Sequence, residues 1–185
     1  MRLTTENRMA VQVVETPAAT IESASSRRWP SGRVLVVFCV LIGFAFRVGV
    51  YVRDSSLWID EAMLALNVVN RSPAELMKPL DWNQGAPLGF LMASKAAIAL
   101  LGDNERAMRT IPFLASLAGL WIFPAFANRA MPIRIARLAT ILFALSPNLI
   151  GYAAEFKQYE LDATIAVGLL ALGLPMANGS HIFQT

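Results

Sequence analysis

The feature that most limits the possible folds is a 19-residue apolar stretch from Val34 to Val52, which only Arg47 interrupts. At about 1.5 Å per residue, a helix of this length spans roughly the hydrocarbon core of a bilayer. Of the 185 residues, 56% are hydrophobic and 16% are charged, whereas a soluble domain has about a quarter of its residues charged. Pattern and composition together predict an integral membrane protein and exclude a disordered chain.

The charges beside this stretch predict its orientation. Three arginines precede it and two aspartates follow it, namely Arg27, Arg28, Arg33, Asp54 and Asp60. Because cytoplasmic flanks carry an excess of Arg and Lys, the helix is predicted to run from the cytoplasm to the outer face of the plasma (inner) membrane. Residues 1–33 have few large apolar side chains, so we predict that they form a disordered cytoplasmic tail.

Composition also excludes several kinds of site. The net charge is +3, but the basic residues lie in short groups beside apolar runs, which argues against a nucleic-acid surface. The single cysteine, Cys39, cannot form an internal disulfide framework. The single histidine, His181, cannot build a multi-histidine metal site.

Four more apolar runs follow, over residues 87–101, 110–127, 138–154 and 161–177. The first of these is short and carries Lys95 at its middle, where a charge in hydrocarbon would cost a few kcal/mol. We therefore predict that it lies on the outer interface, which leaves the arginines of residues 129–137 on the cytoplasmic side. The predicted fold is an all-α, polytopic membrane protein. It has a transmembrane module at 34–177 with spans at 34–52, 110–127, 138–154 and 161–177, an outer loop at 53–109, and a short tail at 178–185.

The long outer loop is predicted to contain two short juxtamembrane helices. Ser72, Pro73 and Glu75 form a helix start, with a capping residue, a proline at the first helical position and an acid that can reach back. That helix must end before Pro79. The other helix is predicted to begin near Asp60 and to place its apolar side chains at the membrane interface.

Asp60 and Glu61 allow two interpretations. In the first, Asp60 caps the helix that follows it, and Glu61 favours the positive end of the helix dipole. In the second, an acidic residue at the membrane surface acts as a general base or holds a divalent cation. The pattern alone does not choose between them.

Two arginines, Arg47 and Arg109, also allow two interpretations each. Arg47 lies about 8 Å below the outer end of the first helix, so it either reaches up to the interface or faces inward. Arg109 opens the second span from the outside. It serves either as an interfacial anchor or as the binding partner of an anion, since a guanidinium fits phosphate oxygens.

A polar group lies between the last two predicted spans and comprises Tyr152, Glu155, Lys157, Gln158, Tyr159 and Asp162. In a helix, Tyr152, Glu155, Tyr159 and Asp162 would share one face, and Lys157 would point away. The chain must turn here, yet no Gly or Pro marks the turn, so the direction of Lys157 stays open. A polar hairpin is the simple explanation, but the density of ionisable groups exceeds what a turn needs and favours a function.

Four segments carry the chemistry in a characteristic order: residues 57–62 (LWIDEA), residues 83–88 (NQGAPL), Arg109, and residues 157–163 (KQYELDA). Placed in this way around the spans, they resemble the amino-terminal part of the GT-C superfamily of membrane glycosyltransferases, in the branch of protein O-mannosyltransferases and lipid A aminoarabinose transferases. The resemblance covers about residues 34–175. It also implies juxtamembrane helices in the first outer loop.

The resemblance implies an inverting glycosyltransferase of the cell envelope whose donor is a sugar on a polyprenyl phosphate, a membrane lipid. Asp60 would deprotonate an acceptor hydroxyl, and Glu61 would assist or help to hold a divalent metal ion. Arg109, together with Lys157, would neutralise the departing phosphate. Asp162 matches a family aspartate near the pocket. The other members of the predicted substrate-binding set are Tyr159, Glu155 and Gln84.

The chain departs from the family at two points. Gly85 and Ala86 stand where aminoarabinose transferases have an acidic and a basic residue, so a phosphate or metal contact is absent or comes from elsewhere. Family enzymes also have many more spans, and four spans cannot enclose a lipid-sugar groove together with an acceptor site. We therefore expect a fragment, a truncated product or one piece of a complex with further membrane subunits, short for an active enzyme.

Two alternative functions use the same spans. The first is a non-catalytic membrane protein that binds a lipid phosphate or a partner subunit on this scaffold. The second is a small transporter, which ranks last because Arg47 alone approaches mid-membrane depth among the ionisable residues.

Overall fold

The computed structural model describes residues 32–53 and 55–179, with side chains described to residue 174. Every regular element in this part of the chain is helical, which confirms the all-α prediction. The helices are α1 (Gly32–Val52), α2 (Ile59–Asn70), α3 (Leu88–Leu101), α4 (Glu105–Ala130), α5 (Ile133–Ala144), α6 (Pro147–Tyr152) and α7 (Tyr159–Gly179). Short 3₁₀ turns lie at Glu75–Met77 and Asp81–Asn83. The predicted tail at 1–33 lies outside the described residues except for its last two positions, as do Asp54 and most of the predicted tail at 178–185.

Among the described residues, two helices, α1 and α4, are long and apolar enough to cross a membrane. Their apolar windows have mean hydropathies of 2.4 and 1.7, and only 17% and 33% of those windows are buried inside the protein. The exposed side chains of α1 are large and apolar, among them Val37, Phe38 and Leu41. Both helices include the spans predicted at 34–52 and 110–127 and extend beyond them.

The third predicted span, residues 138–154, is not one helix. The run is divided between α5 and α6, with a break at Leu145 and Ser146. Pro147 occupies the first position of α6, and the ring of a proline disfavours helical backbone at the residue before it. Ser146 accordingly has an extended ψ of 119°. The fourth predicted span, residues 161–177, lies within α7.

The long helix α4 lies at the centre of the bundle and packs against α1, α3, α5 and α7. Two glycines allow close approach between helices. A Cβ atom on Gly43 of α1 would lie 2.3 Å from the carbonyl oxygen of Ala144, and one on Gly119 of α4 would lie 2.9 Å from Oγ1 of Thr164. Glycine is therefore required at Gly43, where the opposing atom belongs to the backbone.

The outer loop folds around a small core of its own. Apolar side chains of α2, α3, the first turn of α4 and the segment before α7 pack together there, including Leu64, Phe90, Met108 and Phe156. The charge of Lys95 was the reason to place residues 87–101 outside the hydrocarbon. In the structure, its ammonium donates to the carbonyl oxygens of Val68 and Val69, both at 2.9 Å. A cation at the carboxyl end of α2 also interacts favourably with the helix dipole.

Both predicted starts of the loop helices can be compared with the structure. Glu75 accepts from the backbone N–H of Ser72 at 2.8 Å, and the backbone N–H of Glu75 donates to Ser72 Oγ at 3.4 Å, so the reciprocal cap is confirmed. The element that follows is only the 3₁₀ turn Glu75–Met77, and it ends before Pro79 as predicted. The helix near Asp60 begins at Ile59, so Asp60 lies inside its first turn and does not cap it.

Candidate functional site

The carboxyl end of α1 and the amino ends of α2 and α4 meet the turn between α6 and α7, and Glu61 lies at this junction. Its side chain is only 1% exposed. One carboxylate oxygen, Oε2, accepts from the backbone N–H of Trp58 at 2.9 Å, and the other, Oε1, accepts from the backbone N–H of Phe156. Glu61 thus joins the beginning of α2 to a residue 95 positions away in the sequence.

Arg109 is the buried counter-ion of Glu61. Its Nη2 lies 3.5 Å from Glu61 Oε2, and its side chain is 2% exposed. The same guanidinium donates to the carbonyl oxygens of Ser55 and Ser56, so it holds the segment between α1 and α2 against α4. A cation in the second turn of a helix opposes the helix dipole, and these acceptors compensate for that. Arg109 Nε has no hydrogen-bond partner within the described residues.

The neighbouring carboxylate, Asp60, has the opposite surroundings. Its side chain is 59% exposed, and Oδ2 lies 2.9 Å from Lys157 Nζ. Gln84 joins the two residues, because its Nε2 donates to Asp60 Oδ1 at 3.0 Å and its Oε1 accepts from Lys157 Nζ at 3.0 Å. We call Asp60, Gln84 and Lys157 the polar triad. The hydrogen bond from Lys157, and then the one from Gln84, lower the pKa of Asp60 below its usual range.

The backbone before Gln84 adopts an uncommon conformation. Trp82 and Asn83 have φ values of 56° and 54°, in the left-handed region. Asn tolerates this region, whereas a bulky residue such as Trp does so at a cost. The two residues turn the chain so that Gln84 reaches Asp60, 24 positions earlier. Strained backbone of this kind is frequent at functional sites.

A cavity of about 380 Å³ opens beside the Glu61–Arg109 pair. Its polar lining includes Arg53, Ser55 and Glu155, and Trp58 forms part of the wall. Burial, followed by the negative charge of Glu61, raises the pKa of Glu155 above its usual range. Asp60 does not line this cavity, although its neighbours Glu61 and Trp58 do.

The residues between α6 and α7 do not form the helical face considered above. The segment 153–158 is a turn. Within it, Lys157 is buried and points toward Asp60 and Gln84. The rings of Tyr152 and Tyr159 still lie close, with centroids 5.1 Å apart. Tyr159 and Asp162 are exposed, and the structure shows no hydrogen bond or ion pair from either side chain to the other predicted site residues.

The residues present do not fit a metal ion. Both oxygens of Glu61 already accept hydrogen bonds, and Arg109 faces the same carboxylate. Among the residues that the structure describes, no group of three or more His, Cys, Asp or Glu side chains is arranged to hold a metal ion.

A second buried polar cluster lies deeper in the bundle. Arg47 faces inward, with its Nε 2.6 Å from Ser116 Oγ and its Nη1 2.7 Å from the carbonyl oxygen of Ala144. Glu160 is completely buried, and neither of its carboxylate oxygens has a hydrogen-bond partner in the described part of the chain. Each of these two charges acts electrostatically on the other.

Sequence reasoning did not select Glu160 or Arg53. Glu160 stands in the KQYELDA segment between two predicted site residues, and Arg53 stands beside the end of the first span. The helical period of the apolar residues in α7 could have identified Glu160 as inward-facing. Arg53 carries no signal that distinguishes it from an interfacial anchor.

Comparison with protein-family models, with curated proteins and with solved structures finds no match for this chain. The likeness to GT-C glycosyltransferases therefore rests on the order of the four segments and on their placement relative to the helices.

Proposed function

We propose that this chain is a membrane-embedded module of a glycosyltransferase that uses a polyprenyl-phosphate sugar at the outer face of the plasma membrane, with its amino terminus in the cytoplasm. The observation that carries the proposal is the convergence of four segments, distant in sequence, at the outer end of α1. Asp60, Gln84 and Lys157 meet in the polar triad, and Glu61 and Arg109 pair directly beside it.

The membrane part of the proposal is supported by the exposed apolar surfaces of α1 and α4 and by the charge distribution. The described residues at the start of α1 and around the α4–α5 turn include only basic charges: Arg33, Arg129, Arg134 and Arg137. An excess of arginine marks the cytoplasmic side of a membrane protein, so the polar triad would face outward. We assign four spans, of which the third is the interrupted pair α5 and α6.

The proposed reaction is a single displacement. The acceptor oxygen attacks the anomeric carbon, the bond from that carbon to the phosphate oxygen breaks, and polyprenyl phosphate leaves with the electron pair. The hydroxyl proton goes to Asp60, which its lowered pKa keeps ionised at neutral pH. Lys157 and the arginines of the cavity, Arg53 and Arg109, offset the charge that develops on the phosphate. Attack from the opposite face inverts the anomeric centre.

Transfer of a radiolabelled sugar from polyprenyl phosphate tests the proposal, with the full chain reconstituted in nanodiscs. Loss of a general base lowers the rate by about 10²- to 10⁴-fold, so we expect a loss in that range for Asp60→Asn. Asp103→Asn is the matched control, because it makes the same change at an exposed position in the α3–α4 turn. Equal rates for the two variants would contradict the assignment of Asp60.

The pH dependence of the transfer rate identifies the base. With Asp60 as the base, the rate rises with pH below the usual range of an aspartate and is flat above it. With Glu155 as the base, the rise lies above the usual range of a glutamate, because the pKa of Glu155 is raised. Glu155→Gln would abolish that second profile and would leave the first unchanged.

The lowered pKa of Asp60 also favours a second candidate, a non-catalytic protein that binds a lipid phosphate on this scaffold. A carboxylate held by Lys157 and Gln84 is a weak base, and its pairing keeps the lysine in place. Retention of labelled polyprenyl phosphate by the reconstituted chain, with no transfer to any acceptor, would favour this candidate.

A further inference from the structure

A groove runs along the surface between α1 and α4, at the end of α1 opposite the polar triad. Its apolar part has a volume of about 340 Å³. The lining residues come from three turns of α1 and from the middle of α4: Val36, Val37, Val40, Leu41, Phe44, Leu120, Trp121 and Pro124. Trp121 is 81% exposed, so no other part of the described chain covers this surface.

Pro124 lines the groove on the side of α4. It lies inside α4, where a proline removes one backbone hydrogen bond and its ring presses on the preceding turn, which bends a helix. The same residue lines the next cavity toward the start of α1, and so do Val36 and Val37. The two cavities therefore adjoin each other.

The second cavity, of about 440 Å³, has a basic lining. Arg33 from α1 and Arg137 from α5 contribute the charges, and Asn128 and Thr140 contribute further polar groups. A Cβ atom on Gly32 would lie only 2.7 Å from Arg137 Nη1, so this guanidinium packs directly on the first turn of α1, next to Arg33. We call this cavity the basic mouth.

Within the described part of the chain, the basic mouth has no counter-charge of its own. The residues that line the two cavities include no Asp or Glu. The ion pairs of the described residues also leave both Arg33 and Arg137 without an acidic partner. Two arginines that line one cavity repel each other, and an anion bound between them would offset that repulsion.

We propose that the groove and its basic mouth together form a binding site for one anionic phospholipid of the cytoplasmic leaflet, with an acyl chain along Val40, Phe44 and Trp121 and the phosphate between Arg33 and Arg137. An apolar groove that ends in a pair of arginines matches the two ends of such a lipid. Basic pockets between helices on the cytoplasmic side are typical sites for anionic headgroups.

This site is distinct from the one proposed for the sugar donor. The 21 residues of α1 separate them by about 30 Å, so they lie at opposite faces of the bilayer. The inference rests on the membrane location given under Proposed function, but not on the transferase reaction.

Native mass spectrometry of the full chain in mixed micelles tests the proposal, with phosphatidylglycerol and phosphatidylcholine of identical acyl chains as probes. We expect the wild type to retain one phosphatidylglycerol in preference to phosphatidylcholine. The double variant Arg33→Gln/Arg137→Gln should lower that preference by about thirtyfold, because each arginine contributes to anionic lipid binding.

The matched control is Arg129→Gln/Arg134→Gln. It removes two arginines from the same end of the bundle, yet neither of them lines the groove. Its preference should stay within about twofold of the wild type. An equal loss in both double variants would show diffuse attraction to the charged end and would overturn the built site.

Quenching by brominated acyl chains tests the apolar part. The signal of Trp121, obtained as the difference between the wild type and Trp121→Phe, should be quenched more strongly by brominated phosphatidylglycerol than by brominated phosphatidylcholine in reconstituted bilayers. Equal quenching would overturn the acyl-chain assignment. Displacement of the lipid by soluble glycerol phosphate would assign the binding to the basic mouth alone and would also overturn the proposal.

Extraction with alkaline carbonate separates the two possible failures. A chain that is extracted from vesicles is not embedded in the membrane, which contradicts the Proposed function itself. A chain that stays embedded but shows no preference for phosphatidylglycerol contradicts only this inference.

Discussion

Asp60 and Glu61 are adjacent in sequence, yet the two halves of the candidate site that they belong to differ in almost every physical respect. Glu61 is buried against Arg109 and accepts two backbone N–H groups, whereas Asp60 is mostly exposed and is held by two long side chains. Successive residues of a helix point about 100° apart, so one can enter the core while the other faces solvent. The first half holds the fold at this junction, and the second is open to solvent.

The sharpest test of this difference is Glu61→Gln. The change keeps the shape but leaves the Arg109 guanidinium buried without a counter-charge, and breaking a buried pair in this way costs about 3–5 kcal/mol. We expect that loss in the free energy of unfolding, measured by chemical denaturation in detergent. Adding Arg109→Met to the variant should recover part of it. A loss below about 1 kcal/mol would show that the buried half does not stabilise the junction.

The second largest effect is expected for Lys157→Met. The lysine is buried, but its partner Asp60 is exposed and can be solvated by water once the ammonium is gone, so the loss should be only about 1 kcal/mol. The pKa of Asp60 should rise toward its usual value, which NMR titration of the carboxyl carbon measures. Lys78→Met, at an exposed position of the loop, is the control and should change neither quantity.

The pH dependence of stability should separate Asp60 from Glu155. The pKa of Asp60 is lowered, so the folded state binds its proton more weakly. The resulting stabilisation is present above the usual pKa of an aspartate and is lost as the pH falls through the lowered value. The pKa of Glu155 is raised, so its contribution is present below the usual pKa of a glutamate and is lost as the pH rises through the raised value.

Thermal unfolding across the acid range measures both contributions. Asp60→Asn should flatten the curve on its low-pH side, and Glu155→Gln on its high-pH side. If both variants changed the stability on the same side of the pH curve, the prediction that the pKa values of Asp60 and Glu155 shift in opposite directions would be wrong.

The smallest expected effect concerns the backbone that positions Gln84. Asn83 has a positive φ, which glycine adopts without a steric penalty, so Asn83→Gly should stabilise the protein by less than about 1 kcal/mol. Asn104→Gly, which removes a cap at the start of α4, is a contrasting change and should destabilise by a few tenths of a kcal/mol. If both variants changed the free energy of unfolding in the same direction, the positive φ of Asn83 would carry no strain.

Local signals predicted the parts of this molecule that depend on local physics. The apolar runs at 34–52, 110–127 and 161–177 lie in single helices, and the Ser72–Glu75 cap forms with both of its hydrogen bonds. The break before Pro147 was not predicted, because residues 138–154 were expected to form one span. A proline within an apolar run is tolerated in many membrane helices, so the pattern at 138–154 does not distinguish a bent helix from two helices.

The assembly of the site could be predicted only in part. The four segments were expected at one end of the bundle, but the hydrogen bonds that join Gln84 to Asp60 and Lys157 depend on a tertiary arrangement that no local rule specifies. The direction of Lys157 depends on the turn at 153–158, which contains neither Gly nor Pro. The inward direction of Arg47 was one of two open interpretations, and the contacts of α1 with α4 and α5 decide it.

The contact between α1 and α5 also limits how the bundle can move. The guanidinium of Arg47 donates to the carbonyl oxygen of Gly43 in its own helix at 3.1 Å and to that of Ala144 in α5 at 2.7 Å. The backbones of α1 and α5 nearly touch at this point. The bond to Gly43 lies within α1, but sliding α1 along α5 by a single residue would break the bond to Ala144, and this opposes a lengthwise shift between the two helices. Movement between α5 and α6 is then expected at the non-helical residues 145–146, while Arg47 keeps the end of α5 against α1.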